Sequence, residues 1–440
     1  MKTLNEAYEE FKKSIEEINK SLPTLMFLHP LPNLFVRCSL YMRKDIEDDR
    51  KFIESKIENL KNLLKETQQL ASEEDKELQT EISTQINLLK IAYNIISCVE
   101  GYRTNQYTNH YKRETTTPIT MGELYNELVS IDKKLELIPK TEQKRQFVCA
   151  ANNLKIIIAR TLKDQDLGDN PNIWALVALE NTDQNLDKAV ILSNLGFVLT
   201  DKKDFQQALE KHQEAQQEIS TVQTNDDKTK QIIAAIYNGL GYCYRKCGQR
   251  KNAITAYQTS YEHWQHCNVI MNNLAILLSR SEDLLELNEA IKLFASAMKI
   301  QTVKKFVAAY YCAVAHLKIA ELQQNQEFLI AAEQLFNDAK EALWLPKNDY
   351  SNSYRDKSTF KILCQQYKLL TCGLNFPVFA AKHPNIDKEI QDCREEIDAL
   401  IKQMGDNSNT LNYIKNKLIK AGIQEKQLPE SEPVPSFTFS

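Results

Sequence analysis

Residues 189–222, AVILSNLGFVLTDKKDFQQALEKHQEAQQEISTV, and residues 234–267, AAIYNGLGYCYRKCGQRKNAITAYQTSYEHWQHC, carry one pattern twice. Leu195-Gly196 aligns with Leu240-Gly241, Leu199 with Tyr244, Ala208 with Ala253 and Ala215 with Ser260, all without a gap. A third copy, 268–304, starts at Asn268 and offers Leu274-Ala275, Leu278, Ala290, Phe294 and Ala297. It matches once three extra residues are allowed in its turn, at Leu284 to Leu287. Small residues at fixed spacing let two antiparallel helices approach closely, and large ones fill the gap to the next pair. A period of about 34 residues therefore predicts a helix–turn–helix unit repeated along an all-α chain.

The pattern resembles the tetratricopeptide repeat, and the resemblance implies an α-solenoid in which the first helix of every unit lines a concave groove. A weaker fourth copy, 303–345, keeps Ala332, Phe336 and Ala339 in its second helix and meets Pro346 at its end. Its first helix, around Tyr310 to Ala320, lacks a Leu-Gly pair. Eleven residues, Gln223 to Ile233, separate the first two copies. With Asn225, Asp226 and Asp227 they predict a longer second helix, a turn and a new start. Extended repeats of this kind are similar to those of kinesin light chains and of bacterial peptide-sensing regulators.

Composition agrees. In 440 residues there are 10 Gly and 12 Pro, against typical shares of about 7 and 5 per cent. The formal net charge is −4 with both signs interspersed, which leaves no electrostatic footprint for nucleic acid. The ten cysteines include Cys38, Cys98, Cys149, Cys312, Cys364, Cys372 and Cys393, set singly on helical faces. Used so, cysteines behave as small hydrophobes and suit a reducing compartment. The amino terminus opens into an amphipathic helix without a signal-peptide core, and no uncharged apolar run reaches the ~18 residues of a membrane span. A cytoplasmic protein is expected.

Residues 1–140 are expected to form a helical bundle. Leu4, Tyr8, Phe11, Ile15 and Ile18 give a first amphipathic helix that stops before Pro23. Leu25 to Phe35, with Pro30 and Pro32, is expected to be a buried connector rather than a docking loop. Two long runs follow, Lys44 to Leu70 and then Ile82, Ile86, Leu89, Tyr93 and Ile96, with helix-start chemistry at Ser72. They predict an antiparallel hairpin, since each is too short for an intermolecular coiled coil. Gln106 to Pro118 reads as an exposed polar loop. Thr120 and Glu123 form a capping box ahead of Leu124, Leu128, Ile131 and Leu135. The solenoid is placed at 141–345, entered through a helix from Glu142 to Leu162 and a short one around Trp174 to Leu179. Capping helices are expected over 346–422 (Thr359 to Leu370, Asn385 to Met404, Leu411 to Ile419), then a disordered tail, 423–440.

Recognisable catalytic chemistry is missing: no phosphate loop, dinucleotide motif, Gly-x-Ser-x-Gly, kinase set or His-Glu-x-x-His occurs. Cys243, Cys247, His263, His266 and Cys267 look metal-like, but repeat geometry puts the first two and the last three at opposite ends of one hairpin. No metal, cofactor or catalytic residue is expected. What stands out is a set of asparagines, Asn194, Asn238, Asn272 and Asn273, at the fifth or sixth position of successive first helices. The resemblance implies that these face the groove and bond the backbone of an extended peptide, a task suited to a carboxamide. Groove-facing positions are expected to be open to solvent. Ser193, Phe197 and Val269 stand where the family's chaperone-binding carboxylate clamp wants other residues, so a chaperone tail is not the expected ligand.

These readings point to a non-enzymatic adaptor or regulator that holds a protein or peptide segment, of unknown oligomeric state. One alternative is a secreted effector or effector-regulator acting in a host cell. The tail, with Glu425, Glu430, Glu432, Phe437 and Phe439, is similar to the glutamate-rich, hydrophobic-ended export signals of Legionella type IV effectors. The other is an enzyme with an unrecognised site in the amino-terminal helices.

Overall fold

The computed structural model describes residues 4–22, 31, 39–67, 73–111, 120–160, 162, 170–223, 226–300, 305–344 and 395. Among them the regular elements are α-helices: α1 (Leu4–Ser21), α2 (Ser39–Thr67), α3 (Glu73–Tyr111), α4 (Met121–Glu136), α5 (Glu142–Ala159), α6 (Asn170–Glu180), α7 (Asn185–Asp201), α8 (Phe205–Ile219), α9 (Asp227–Lys246), α10 (Arg250–His263), α11 (Asn268–Leu278), α12 (Leu284–Ile300), α13 (Lys305–Gln323) and α14 (Gln326–Trp344). The fold is an all-α solenoid of paired helices. It divides into two compact units, Met1–Thr108 with Glu114–Trp264, and Asn109–Arg113 with Gln265–Ser440.

In the first unit, α2 and α3 form the expected antiparallel hairpin. Arg50 pairs with Glu100 and donates to Tyr93 Oη at 2.6 Å, and near the other end Gln79 donates to the Thr67 carbonyl at 2.9 Å. Ile46, Ile53 and Leu60 of α2 and Ile82, Leu89 and Ile96 of α3 are buried. α3 runs on to Tyr111, so Gln106 to Tyr111 are helical and not loop. Thr120 closes its capping box, accepting from Glu123 N at 3.1 Å while Glu123 Oε2 accepts from Thr120 N at 2.7 Å. Leu124, Leu128, Ile131 and Leu135 form the buried face of α4, as their spacing implies.

From α5 onward the helices pack in antiparallel pairs: α5 with α6, α7 with α8, and α9 with α10. Two of the turns share one device. α7 ends on Lys203 at φ 67° and α9 on Gly248 at φ 75°. The next amide reaches back five residues in both, Asp204 N to the Leu199 carbonyl at 3.0 Å and Gln249 N to Tyr244 at 2.9 Å. A left-handed residue so placed satisfies end carbonyls and reverses the chain. Close approach explains the glycines. A Cβ on Gly241 would fall 2.8 Å from the Tyr257 ring, and one on Gly196 2.8 Å from the His212 ring. Tyr257 and His212 are both fully buried, so each first helix seats an aromatic ring of its second helix against bare backbone. The core between pairs is continuous through Ile156, Trp174, Ile191, Leu195, Ala208, Leu240, Cys243 and Ala256.

The insertion at 223–233 lengthens the other helix from the one expected. α8 stops at Ile219, and α9 starts early at Asp227, capped by Asp226, which accepts from Thr229 N at 2.8 Å. The acidic pair is N-cap chemistry, so the extra turns belong to the start of the next unit.

In the second unit, α11 pairs with α12 and α13 with α14. Leu284 to Leu287 are the first turn of α12, not extra residues in a turn; Asp283 accepts from Leu285 N at 2.6 Å and starts the helix there. Gln324, at φ 52°, with Asn325 N bonded to the Ala320 carbonyl at 3.1 Å, repeats the turn of the first unit. Ala309, Tyr310, Ala313, Leu317, Leu329 and Ala332 form the core, with Phe336 against it. The readings for the capping helices and the tail fall outside the described residues, apart from Glu395.

Candidate functional site

α5, α7 and α9 lie side by side, α5 against α7 and α7 against α9. The face they share has a period of seven residues, two helical turns. Asn153 and Arg160, Asn194 and Asp201, and Asn238 and Arg245 are each seven apart. The face thus carries a row of carboxamides at one level and a group of charges two turns further along.

At the carboxamide level, Asn194 Nδ2 donates to the backbone carbonyl of Leu31 at 2.8 Å and to Asn153 Oδ1 at 2.9 Å. Asn153 Nδ2 donates to the same carbonyl at 3.2 Å. Two amides from two helices thus converge on one peptide oxygen, which has two lone pairs to receive them. Asn194 and Asn238 are only 2% and 5% exposed, which corrects the expectation that these positions stand open to solvent. Leu31, itself buried, covers Asn194. Asn272 and Asn273 stand on α11 in the other unit and are partly exposed.

At the charged level Arg160 lies over the Phe197 ring at 4.9 Å and pairs through Nε with Asp201 at 2.6 Å. Phe197 packs against Tyr242, ring centroids 5.7 Å apart. Tyr242 carries the Arg245 guanidinium at 5.3 Å and the Lys246 ammonium at 5.2 Å. Burial, with Arg245 and Arg160 nearby, pulls the Lys246 amine down to about 8. Burial pushes the Tyr242 phenol up to about 12.

Behind the aromatic pair sits His212 from α8. Its ring stands edge-on to Phe197 at 5.2 Å, and Nδ1 is 3.4 Å from Ser193 Oγ. Burial, aided by Arg160, drives its pKa to about 3, so the ring is neutral at any ordinary pH. Lys155 is buried too, paired with Asp132 of α4 and 3.3 Å from Asn152 Oδ1.

The Cys/His set is not assembled. Cys243 and Cys247 point at the Phe205 carbonyl, with Sγ at 3.9 and 3.8 Å. His263 stacks on Tyr237, about 9–15 Å along α9 from the two thiols at ~1.5 Å per residue. Burial raises the Cys243 thiol to about 12, far from thiolate chemistry. Among the described residues no group of three or more His, Cys, Asp or Glu is placed to hold a metal, and no helix is long and apolar enough to cross a membrane.

Asn153, Leu31, Arg160, Tyr242, Arg245 and Lys246 were not visible as site residues in the repeat pattern. α5 lies before the first recognisable copy, and the seven-residue interval becomes a signal only once α5 is aligned with α7 and α9.

No protein-family model matches the chain, and no curated protein is similar to it. Among solved structures, a similar one is described as the crystal structure of BtubC (BKLC) from P. vanneervenii. The likeness covers 67% of this chain and 98% of that one, at 14% identity and a TM-score of 0.31. So low a score carries no argument here, and the fold rests on the helix pairs themselves.

Proposed function

We propose that this chain is a non-enzymatic adaptor or regulator that binds an extended protein segment along the carboxamide row of α5, α7 and α9; in the second unit, Asn272 and Asn273 of α11 offer carboxamides of the same kind. The supporting observation is the Leu31 carbonyl, held by Asn153 and Asn194 together. Amides that grip a main-chain oxygen read no side chain, so the row suits any extended backbone and leaves selectivity to the neighbouring rings and charges. In this state the row holds the chain's own Leu31. A tethered occupant acts at an effective concentration on the order of millimolar, so an incoming segment competes with it. Partner affinity is therefore set partly by how firmly Leu31 is seated.

Capture from cell extract, peptide mapping of what binds and affinity measurement on the mapped peptide form the test. Leu31→Ala removes most of a buried side chain, an anchor worth about 2–3 kcal/mol, and should tighten peptide binding. Asn153→Ala with Asn194→Ala should weaken it, each bond contributing about 0.5–1.5 kcal/mol. Equal affinity in wild type and in a folded double variant would remove the row from the binding site.

A further inference from the structure

The charged level of the same face has a composition that the carboxamide row does not explain. The charged side chains acting on one another there are Arg160, Asp201, Arg245 and Lys246, three cations against one carboxylate, with Tyr102 and Tyr242 beside Arg160. Two polar atoms in the middle are buried and find no hydrogen-bond partner among the described residues: Arg160 Nη1 and Tyr242 Oη. The Arg160 side chain is 6% exposed and Tyr242 8%. Both are donors left without an acceptor, a state that costs about 1–3 kcal/mol for a neutral group and more for a charged one. Arg245 and Lys246 are only partly buried, so the cluster is reachable from their side.

We propose that Arg160, Tyr242, Arg245 and Lys246 form a binding site for a phosphate dianion, either on a small molecule or on a phosphorylated side chain. The excess of two positive charges matches a dianion, whereas one carboxylate would leave a charge uncompensated. The oxygens of a phosphate would accept from Arg160 Nη1 and Tyr242 Oη while the other two cations close over them, the pairing for which a guanidinium fork is suited. Asp201 is a positioning residue here, holding Arg160 through Nε and leaving Nη1 for the ligand. The last turn of α9 adds a negative helix end near Arg245 and Lys246, which helps to offset the repulsion between two neighbouring cations.

The depressed Lys246 amine gives a direct readout. At pH 8 about half of it is neutral and open to an amine-directed acylating reagent, with the modified lysine mapped by mass spectrometry. A bound dianion restores the proton and covers the amine, so inorganic phosphate should slow Lys246 labelling roughly tenfold or more. Acetate at matched ionic strength should leave it unchanged. Binding of inorganic phosphate to the full chain, followed by its phosphorus resonance, should weaken about tenfold or more in Lys246→Gln and again in Arg245→Gln. Tyr242→Phe, which keeps the ring, should weaken it by a smaller factor. A phosphoserine peptide and its unphosphorylated twin identify the source. Tighter binding of the phosphopeptide than of free phosphate assigns the site to a modified side chain, and equal binding assigns it to a small molecule. The proposal is overturned if phosphate and acetate act alike on Lys246, or if the folded Arg245→Gln, Lys246→Gln double variant binds phosphate as well as wild type does.

Discussion

His212→Phe should flatten the acid side of the stability profile of the first unit. In the native chain the His212 ring is fully buried and its pKa lies near 3, down from 6.5, chiefly through burial and next through Arg160. In the unfolded chain it takes a proton near the ordinary value of about 6.5. Between the two values the unfolded state binds a proton that the folded state does not, so stability falls as pH falls through that window. Each unit of pH inside it is worth about 1.4 kcal/mol. From pH 7 to pH 4.5 the loss is roughly 2.5 kcal/mol, set by the unfolded value alone because pH 4.5 still lies above the folded pKa. Phe suits the position because His212 comes four residues after Ala208, as Tyr257 comes after Ala253 and Phe294 after Ala290. Its loss of the Ser193 contact is a constant offset that does not vary with pH. Carboxylates that titrate over the same range are common to both proteins and cancel in the difference. Urea unfolding at the two pH values, with hydrogen exchange of α7 and α8 peptides to isolate this unit, gives the slopes. Parallel losses in wild type and His212→Phe would mean that the ring protonates in place, and the reasoning from burial would fail.

Three further changes test the packing. Gly241→Ala puts a Cβ 2.8 Å from Tyr257 Cδ1 and 3.0 Å from Cγ, atoms close to the ring's own stem that cannot swing aside. Overpacking of about 1–3 kcal/mol should outweigh the gain of about 1 kcal/mol in helix propensity, and a higher urea midpoint would contradict the close approach of α9 and α10. Lys203→Gly should raise stability by about 1 kcal/mol by relieving φ 67°, whereas an unchanged or lower midpoint would count against strain at that turn. Asp132→Asn leaves the buried Lys155 ammonium without its partner. With Asp132 about a third exposed, the loss should be about 1–3 kcal/mol rather than the full range for a buried pair. Adding Lys155→Met should recover most of it, and no recovery would show that the lysine charge is not the difficulty.

The helix pairs were legible because their constraints are local and repeated. Gly196 and Gly241 recur where a ring needs bare backbone, and the turn at Gly248 needs a left-handed residue. The same logic hid Lys203 and Gln324, which hold that conformation without being glycine. It also hid His212, whose place is defined by Tyr257 and Phe294 rather than by its own chemistry. The boundaries that went astray were those where two local signals compete. Asn225, Asp226 and Asp227 suit a turn, but Asp226 and Asp227 equally suit the first turn of a helix. The apolar face beginning at Ile232 drew them into α9.

The site was legible in residue type and not in environment. Nothing at Asn194 says whether water or another part of the chain meets its amide, because Leu31 is 163 residues away and no spacing rule spans that distance. Leu31 lies in the segment read as a buried connector, of which it alone is among the described residues, and Asn194 lies in the row read as backbone-binding. Each leaves a need unmet on its own: the connector has peptide groups to satisfy once buried, and the amides have donors to spend. A connector expected to be buried and a face rich in carboxamides can therefore meet within one chain, as Leu31 and Asn194 do. The charged level has no such internal complement among the described residues. Arg160 Nη1 and Tyr242 Oη remain unmatched there, so a ligand at the charged level displaces nothing described, whereas a segment entering at the asparagines must displace Leu31.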